Sequence, residues 1–276
     1  MAKIVKKELL NSSVTLMEVE APEISKKALA GQFVVLRVDD HGERIPLTIA
    51  GSDPQKGTVT IIFQIVGLTT NKLNHLEEGS EILDFVGPLG KPTQIAGLKR
   101  ACVVAGGVGT AICYPIAKAL HQQGTEVDII IGFRNKDLII LEKEFRSLSS
   151  HTYFTTDDGS YERKGLVTEV LKELLDQGIR YDEVFAIGPL PMMKYTSLLT
   201  KKYDQKTTVS MNPIMIDGTG MCGCCRLTVN GKTKFACVDG PDFDGFAIDY
   251  DEAIARVRMY QNEEREANCR LVNKNE

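Results

Sequence analysis

Four of the seven cysteines fall in one short stretch, Cys222, Cys224, Cys225 and Cys237. Ahead of them stands Asp217. Asp217-x4-Cys222-x2-Cys225 with a remote Cys237 reproduces the Cys-x4-Cys-x2-Cys…Cys spacing that holds a [2Fe–2S] cluster, with a carboxylate where the first thiolate would sit. Cys224 lies outside that register. A compact cluster needs ligands converging from one tight turn, and Gly218, Gly220 and Gly223 allow backbone angles that residues with a Cβ resist. Backbone N–H groups in such a turn can point at the sulfides and offset their charge. Cys222-x2-Cys225 is also half of a zinc knuckle, but a zinc site normally has a second close pair, and Cys237 stands alone. A disulfide cluster is disfavoured in a chain without an export signal.

The elements that must position these residues read in three parts. Residues 1–97 are short strands with turn residues between them: the runs 12–19, 33–38 and 58–66 alternate or are continuously apolar, as in a small antiparallel β-barrel. Within this part, Arg44-Ile45-Pro46-Leu47-Thr48-Ile49 is one informative segment. Gly67-Leu68-Thr69-Thr70 opens a short helical pattern whose free N–H groups could take a phosphate, although a Thr-rich start is also an ordinary cap.

Residues 98–208 alternate strands and helices, which implies a parallel sheet covered on both faces, an α/β domain. Ligands of such sheets bind beyond the carboxyl ends of the strands. The segments there are Gly106-Gly107-Val108-Gly109-Thr110, Gly132 to Arg134, Asp157-Asp158-Gly159-Ser160 and Gly188-Pro189-Leu190-Pro191-Met192. All four contain glycine, as close approach of backbone to a nucleotide requires. Arg134 and Lys136 could meet a 2′-phosphate. Asp157 and Asp158 would repel it, which favours NAD. Residues 209–245 hold the cysteine loop and a hairpin turning at Asn230-Gly231, whose second strand returns Cys237 to Cys225. Residues 246–276 read as a charged helical tail for packing or a partner, in which Cys269 has no companion.

At 276 residues about two domains are expected. With 43% hydrophobic and 25% charged residues the composition is that of a globular protein, and a net charge of −4 argues against broad nucleic-acid or anionic-membrane binding. The first residues lack an apolar signal core, no uninterrupted apolar run reaches membrane-spanning length, and clustered cysteines suit a reducing cytoplasm.

Barrel, nucleotide sheet and cluster hairpin in this order resemble the iron–sulfur branch of the ferredoxin–NADP reductase superfamily. Within it, the chain is similar to the small (alpha) subunits of NADH-dependent reduced ferredoxin:NADP oxidoreductase, the sulfide dehydrogenase subunit family. The most specific part is Ser210-Met211-Asn212-Pro213-Ile214-Met215-Ile216-Asp217-Gly218-Thr219-Gly220-Met221-Cys222-Gly223, continued at Phe235-Ala236-Cys237-Val238-Asp239-Gly240-Pro241. The related electron-transfer subunits of class 1B dihydroorotate dehydrogenase usually have Cys where this chain has Asp217.

The resemblance implies a [2Fe–2S] cluster on Asp217, Cys222, Cys225 and Cys237. It also implies FAD on the barrel, with the Thr48 hydroxyl near flavin N5 and Leu47 against the ring, next to Pro46. The family's pyrophosphate Arg falls on Ile45. Arg44 is one residue earlier and would face the other way in a strand. The backbone near Phe63 and Gln64, with Thr69 and Thr70, then gains weight in holding FAD. NAD(H) would lie on Gly106 to Thr110, Arg134, Asp157, Gly188, Pro189 and Met192, with Ile187 where relatives carry a Cys. The implied activity is relay: hydride from nicotinamide to flavin, then single electrons to the cluster. The implied partner is a larger subunit with a second FAD and two [4Fe–4S] clusters, which splits electrons between ferredoxin and NAD. The rival readings are a dihydroorotate dehydrogenase electron-transfer subunit and a zinc-bearing interaction module without enzymatic activity.

Overall fold

The computed structural model describes residues 1–149 and 151–275, with side chains as far as Arg270. The first part contains β1 (Ala2–Asn11), β2 (Val14–Glu20), the short helix α1 (Pro22–Ser25), β3 (Phe33–Arg37), β4 (Arg44–Asp53), β5 (Thr58–Gln64), α2 (Leu68–Asn74), β6 (Glu81–Ile82) and β7 (Asp84–Leu89). These strands form one antiparallel sheet in the order β6-β1-β2-β5-β4-β3-β7, curled into a nearly closed barrel. Its inward residues, among them Met17, Val34, Leu36, Ile61 and Phe63, are almost wholly excluded from water. Burial of that apolar surface drives this half of the fold.

The second part runs β8 (Arg100–Gly106), α3 (Gly109–Gln122), β9 (Glu126–Phe133), α4 (Glu142–Leu148), β10 (Thr152–Thr156), β11 (Arg163–Lys164), α5 (Val167–Asp176), β12 (Glu183–Ile187), α6 (Leu190–Lys201) and β13 (Thr207–Ser210). The hairpin β14 (Arg226–Val229) and β15 (Lys232–Phe235) follows, then α7 (Ala236–Asp239), β16 (Asp242–Asp244), α8 (Tyr250–Val257) and α9 (Gln261–Asn275). The sheet order is β11-β10-β9-β8-β12-β13-β16, parallel except for β16. Helices α3 and α4 cover one face through Ile116, Leu120 and Phe145. On the other, α5 and α6 pack through Val170, Leu171, Leu174 and Met193.

Two apolar contacts join the halves. Ala111, Cys113 and Ile116 of α3 share a core with Val14, Ala50 and Ile62 of the barrel. Phe33 and Val35 of β3 share another with Met211, Met215, Cys225 and Cys237. The cysteine segment is therefore no appendage: it leaves the sheet at β13 and returns at β16, which pairs with β13 at Ser210↔Asp242. The tail is two helices rather than one, because the chain turns at 258–260. α8 packs on α6 and β14, and α9 on α2. Among the described residues no helix is long and apolar enough to cross a membrane.

Asp242 sits where the parts meet. One carboxyl oxygen accepts from Thr93 Oγ1 at 2.6 Å, while Oδ1 is shut away from water without a partner. Burial raises its pKa, against the Thr93 and Ser210 hydroxyls that lower it. A carboxyl raised on folding contributes stability at low pH that is lost as pH climbs through the folded value. Asp242→Asn removes that loss. Its Tm relative to the parent should therefore rise as pH climbs above the ordinary carboxylate range, by about 2–4 °C for each kcal/mol recovered; calorimetry across a pH series checks this.

Candidate functional site

The loop from β13 to β14 is tied at its start by the Met211 N–H, which donates to the Pro241 carbonyl at 2.9 Å. A Cβ on Gly218, whose φ is +82°, would stand 2.8 Å from Leu89 Cδ1 and 3.0 Å from Val35 Cγ2. Glycine there lets the loop rest directly on barrel strands β3 and β7. The hairpin turns through Asn230 and Gly231, both with positive φ as a type I′ turn requires. It returns the chain so that the Ala236 N–H donates to the Cys225 carbonyl at 3.1 Å.

The buried Cys225 and Cys237 sulfurs consequently lie 3.2 Å apart. Two thiolates about 2.3 Å from one tetrahedral metal stand roughly 3.8 Å apart, so this pair fits a shared metal after a small opening. Burial, then the Cys225 thiol, pushes the Cys237 pKa up to about 12. A bare thiolate is resisted there, and a metal cation would supply the missing positive charge.

Cys222 is exposed and behaves oppositely. The Cys224 N–H foremost, and also the Asp217 N–H, hold its thiol below the ordinary value, while the Asp217 carboxylate opposes them. The donors thus fall into two pairs, Asp217 with Cys222 and Cys225 with Cys237. The Asp217 carboxylate accepts from the Thr219 hydroxyl and from its N–H at 3.2 Å, which hold the carboxyl below the usual range. Among the described residues no three such side chains converge into a preformed cage. Asp217 is turned to Thr219 through Oδ2.

On the barrel, Ile45, Pro46, Leu47 and Thr48 of the interior strand β4 are all only half-buried, with Thr48 paired to Phe33 of β3. An uncovered apolar stretch in mid-sheet fits a strand that a planar ring covers. The Phe63 side chain is core, leaving its backbone and Gln64 for contacts. Thr69 is buried, and the Thr70 hydroxyl accepts from the N–H groups of Val66 and Gly67 at 3.0 Å, closing the turn itself. Arg44 bonds Asp84 at 3.2 Å, sharing it with Arg37 at 2.8 Å. Its partner is therefore a carboxylate, on the side of the barrel where it also helps to lower Asp217.

At the sheet edge, Gly107 has φ +55° and leads into α3. A Cβ on Gly109 would come within 2.5 Å of the Ile187 carbonyl, and one on Gly188 within 3.1 Å of the Gly106 backbone. The Gly106 and Gly188 turns are thus packed face to face with Met192 between them. Thr110 Oγ1 is buried there with no partner, an orphan that a nucleotide oxygen would satisfy. Val108 is half-buried and Pro189 caps α6. Arg134 and Asp157 are exposed and directly follow β9 and β10, where the Asp157 N–H donates to the Phe133 carbonyl at 3.0 Å.

Two contacts escape a linear reading. Arg226 Nη1 donates to the Gly223 carbonyl and Arg256 Nη2, from α8, to the Cys224 carbonyl, each at 3.2 Å. Arg226 adjoins Cys225, which was a local hint; nothing in the sequence signals Arg256.

Residues 103–197 match the oxidoreductase NAD-binding domain, and residues 212–249 the iron–sulfur cluster binding domain of dihydroorotate dehydrogenase B. The chain is 44% identical over 263 residues to a dihydroorotate dehydrogenase B (NAD(+)) electron transfer subunit homolog of Thermotoga maritima, covering 95% of this chain and 93% of that protein. It is 33% identical to the electron transfer subunit of Fusobacterium nucleatum, covering 82% and 88%. The chain belongs to the dihydroorotate dehydrogenase B electron-transfer-subunit family. Members of this family and its relatives are NAD-linked oxidoreductase subunits, and this chain carries both the NAD-binding and the iron–sulfur domain.

Among solved structures, a chain of the NADH-dependent reduced ferredoxin–NADP oxidoreductase superposes with TM-score 0.92 at 43% identity, covering 99% of this chain and 98% of that one. The cytochrome b5 reductase domain of Ulva prolifera nitrate reductase, at 19% identity and TM-score 0.61, shares the fold of the first two parts, covering 74% and 92%.

Gly109→Ala drives a methyl into a backbone carbonyl that cannot move without the sheet. A cost of roughly 1–3 kcal/mol is expected, read as a Tm lower by about 2–12 °C. Gly124→Ala is no matched control, because Gly124 has positive φ; Gly51→Ala, which meets only Thr60 at 3.5 Å, is.

Proposed function

We propose that the chain is the electron-transfer subunit of an NADH-dependent reduced ferredoxin–NADP oxidoreductase that bifurcates electrons. The observation that carries this is likeness along the whole chain: 43% identity and TM-score 0.92 over 99% of its length to a chain of that enzyme, cluster loop included. In this reading the barrel holds FAD through Pro46, Leu47, Thr48, the Phe63–Gln64 backbone and the Thr69–Thr70 turn. NAD(H) lies on the Gly106–Thr110 and Gly188–Met192 turns, flanked by Arg134 and Asp157. Asp217, Cys222, Cys225 and Cys237 hold a [2Fe–2S] cluster.

When bound, the flavin would convert the two electrons of a nicotinamide hydride into single electrons that an iron–sulfur cluster can carry. The chain's own part is placement. The α3 seam with the barrel brings the Gly106 turn toward β4, so that reacting atoms can be held roughly 3–3.5 Å apart. The glycines keep Cβ atoms out of the nucleotide's way, and the Thr48 hydroxyl offers a hydrogen bond at the flavin edge. Val35 and Leu89, under Gly218, set the cluster loop on the same barrel strands, beside Pro46 of the Val35↔Pro46 pair. A larger flavoprotein subunit with its own FAD and two [4Fe–4S] clusters would take or give the electrons, ferredoxin acting through it, in the cytoplasm.

Anaerobic purification from the native source should yield the chain with such a subunit, two irons and two acid-labile sulfides in the small chain, and one FAD. Recovery with a dihydroorotate-oxidising subunit instead would favour the other branch of the family, and zinc without iron or flavin would exclude both. Exchange of a hard carboxylate for a soft thiolate alters ligand field and cluster charge. Asp217→Cys should accordingly move the cluster midpoint potential in a redox titration; an unchanged potential would remove any tuning role from Asp217.

A further inference from the structure

The turn that carries Cys222, Cys224 and Cys225 is gripped from outside by two guanidinium groups. Arg226 holds the Gly223 carbonyl and Arg256 the next one, that of Cys224, each at 3.2 Å. In a planar trans peptide the C=O and N–H point opposite ways. A cation on the Gly223 oxygen therefore polarises the peptide whose N–H belongs to Cys224.

Arg256 is brought to this position deliberately. α8 is pinned to the hairpin by the Asp249 N–H, which donates to the Thr228 carbonyl at 3.0 Å, and by Glu252, which accepts from the Thr228 N–H at 3.1 Å. Arg256 follows one helical turn after Glu252. The cleft that Arg226 and Arg256 line together, with Leu190, Asn212 and Leu227, contains no carboxylate. Arg37 and Arg44 share Asp84, whereas among the described residues neither Arg226 nor Arg256 forms an ion pair.

We propose that Arg226 and Arg256 are positioning residues of the iron–sulfur centre, clamping its ligand turn and, through the two peptides they hold, favouring the reduced cluster. This rests on the iron–sulfur reading of the preceding section. Reduction adds one negative charge to the cluster and leaves the arginines unchanged, so cations beside its ligand turn raise the potential.

The test is an anaerobic redox titration of the full chain, followed by the electron paramagnetic resonance of the reduced cluster, with iron counted in each sample. Arg256→Gln should lower the reduced-to-oxidised ratio at the parent's midpoint about tenfold, a 59 mV fall for one electron. Arg256→Lys, which keeps the charge, should stay within about threefold of the parent. Arg226→Gln should move the potential in the same direction and serves in place of Arg256→Gln if that variant does not retain iron. Full iron with an unmoved potential in the Gln variants would overturn the proposal. So would an equal fall in Arg256→Lys, since charge would then not be the cause. A parent without iron and sulfide would instead overturn the iron–sulfur reading, and the clamp with it.

Discussion

The structure depends on one apolar seam. Phe33 and Val35 of the barrel, Met211 and Met215 of the loop, and Cys225 and Cys237 themselves pack as a single core continuous with the underside of the parallel sheet. Three parts of the chain that could have been independent modules are thereby held in fixed relation. Only a glycine at 218 allows it, because Leu89 and Val35 occupy the place where a side chain would be. Electron transfer asks for little besides fixed, short separations between carriers, and burial of apolar surface supplies that rigidity.

Against this rigid frame the proposed ligand set is asymmetric. Cys225 and Cys237 are buried, in contact, and pushed toward the thiol form, whereas Cys222 and Asp217 lie in the accessible half of the turn under backbone N–H groups. The exposed half is the one surrounded by uncovered apolar side chains: Met221 is 88% exposed, with Ile216 and Val238 also uncovered. In the proposed ligand set, the carboxylate position lies on that accessible edge.

Much of this was legible in the sequence, and for identifiable reasons. The alternating runs gave the barrel, and the apolar runs with glycine at their carboxyl ends gave the parallel sheet. Asn230-Gly231 marked the hairpin that returns Cys237, because that dipeptide meets the positive φ values of a type I′ turn. Local signals of this kind need no knowledge of tertiary contacts. What was not legible is what depends on distant chain segments: β16 returning to the sheet, Asp84 engaging Arg44, the break that makes two helices of the tail, and Arg256 reaching the Cys224 carbonyl from α8. The charged tail of residues 246–276 reads as helical, but its pattern does not say which residue on it faces the turn.

The central claim is that nicotinamide, flavin and cluster form one conducting line within this chain. Titration of the anaerobic protein with NADH, watched by optical absorption and by electron paramagnetic resonance together, tests it most directly. The account predicts that flavin bleaching is accompanied by the signal of a reduced iron–sulfur cluster. Bleaching of flavin with the cluster left oxidised, even when a chemical reductant of equal potential reduces it, would contradict it.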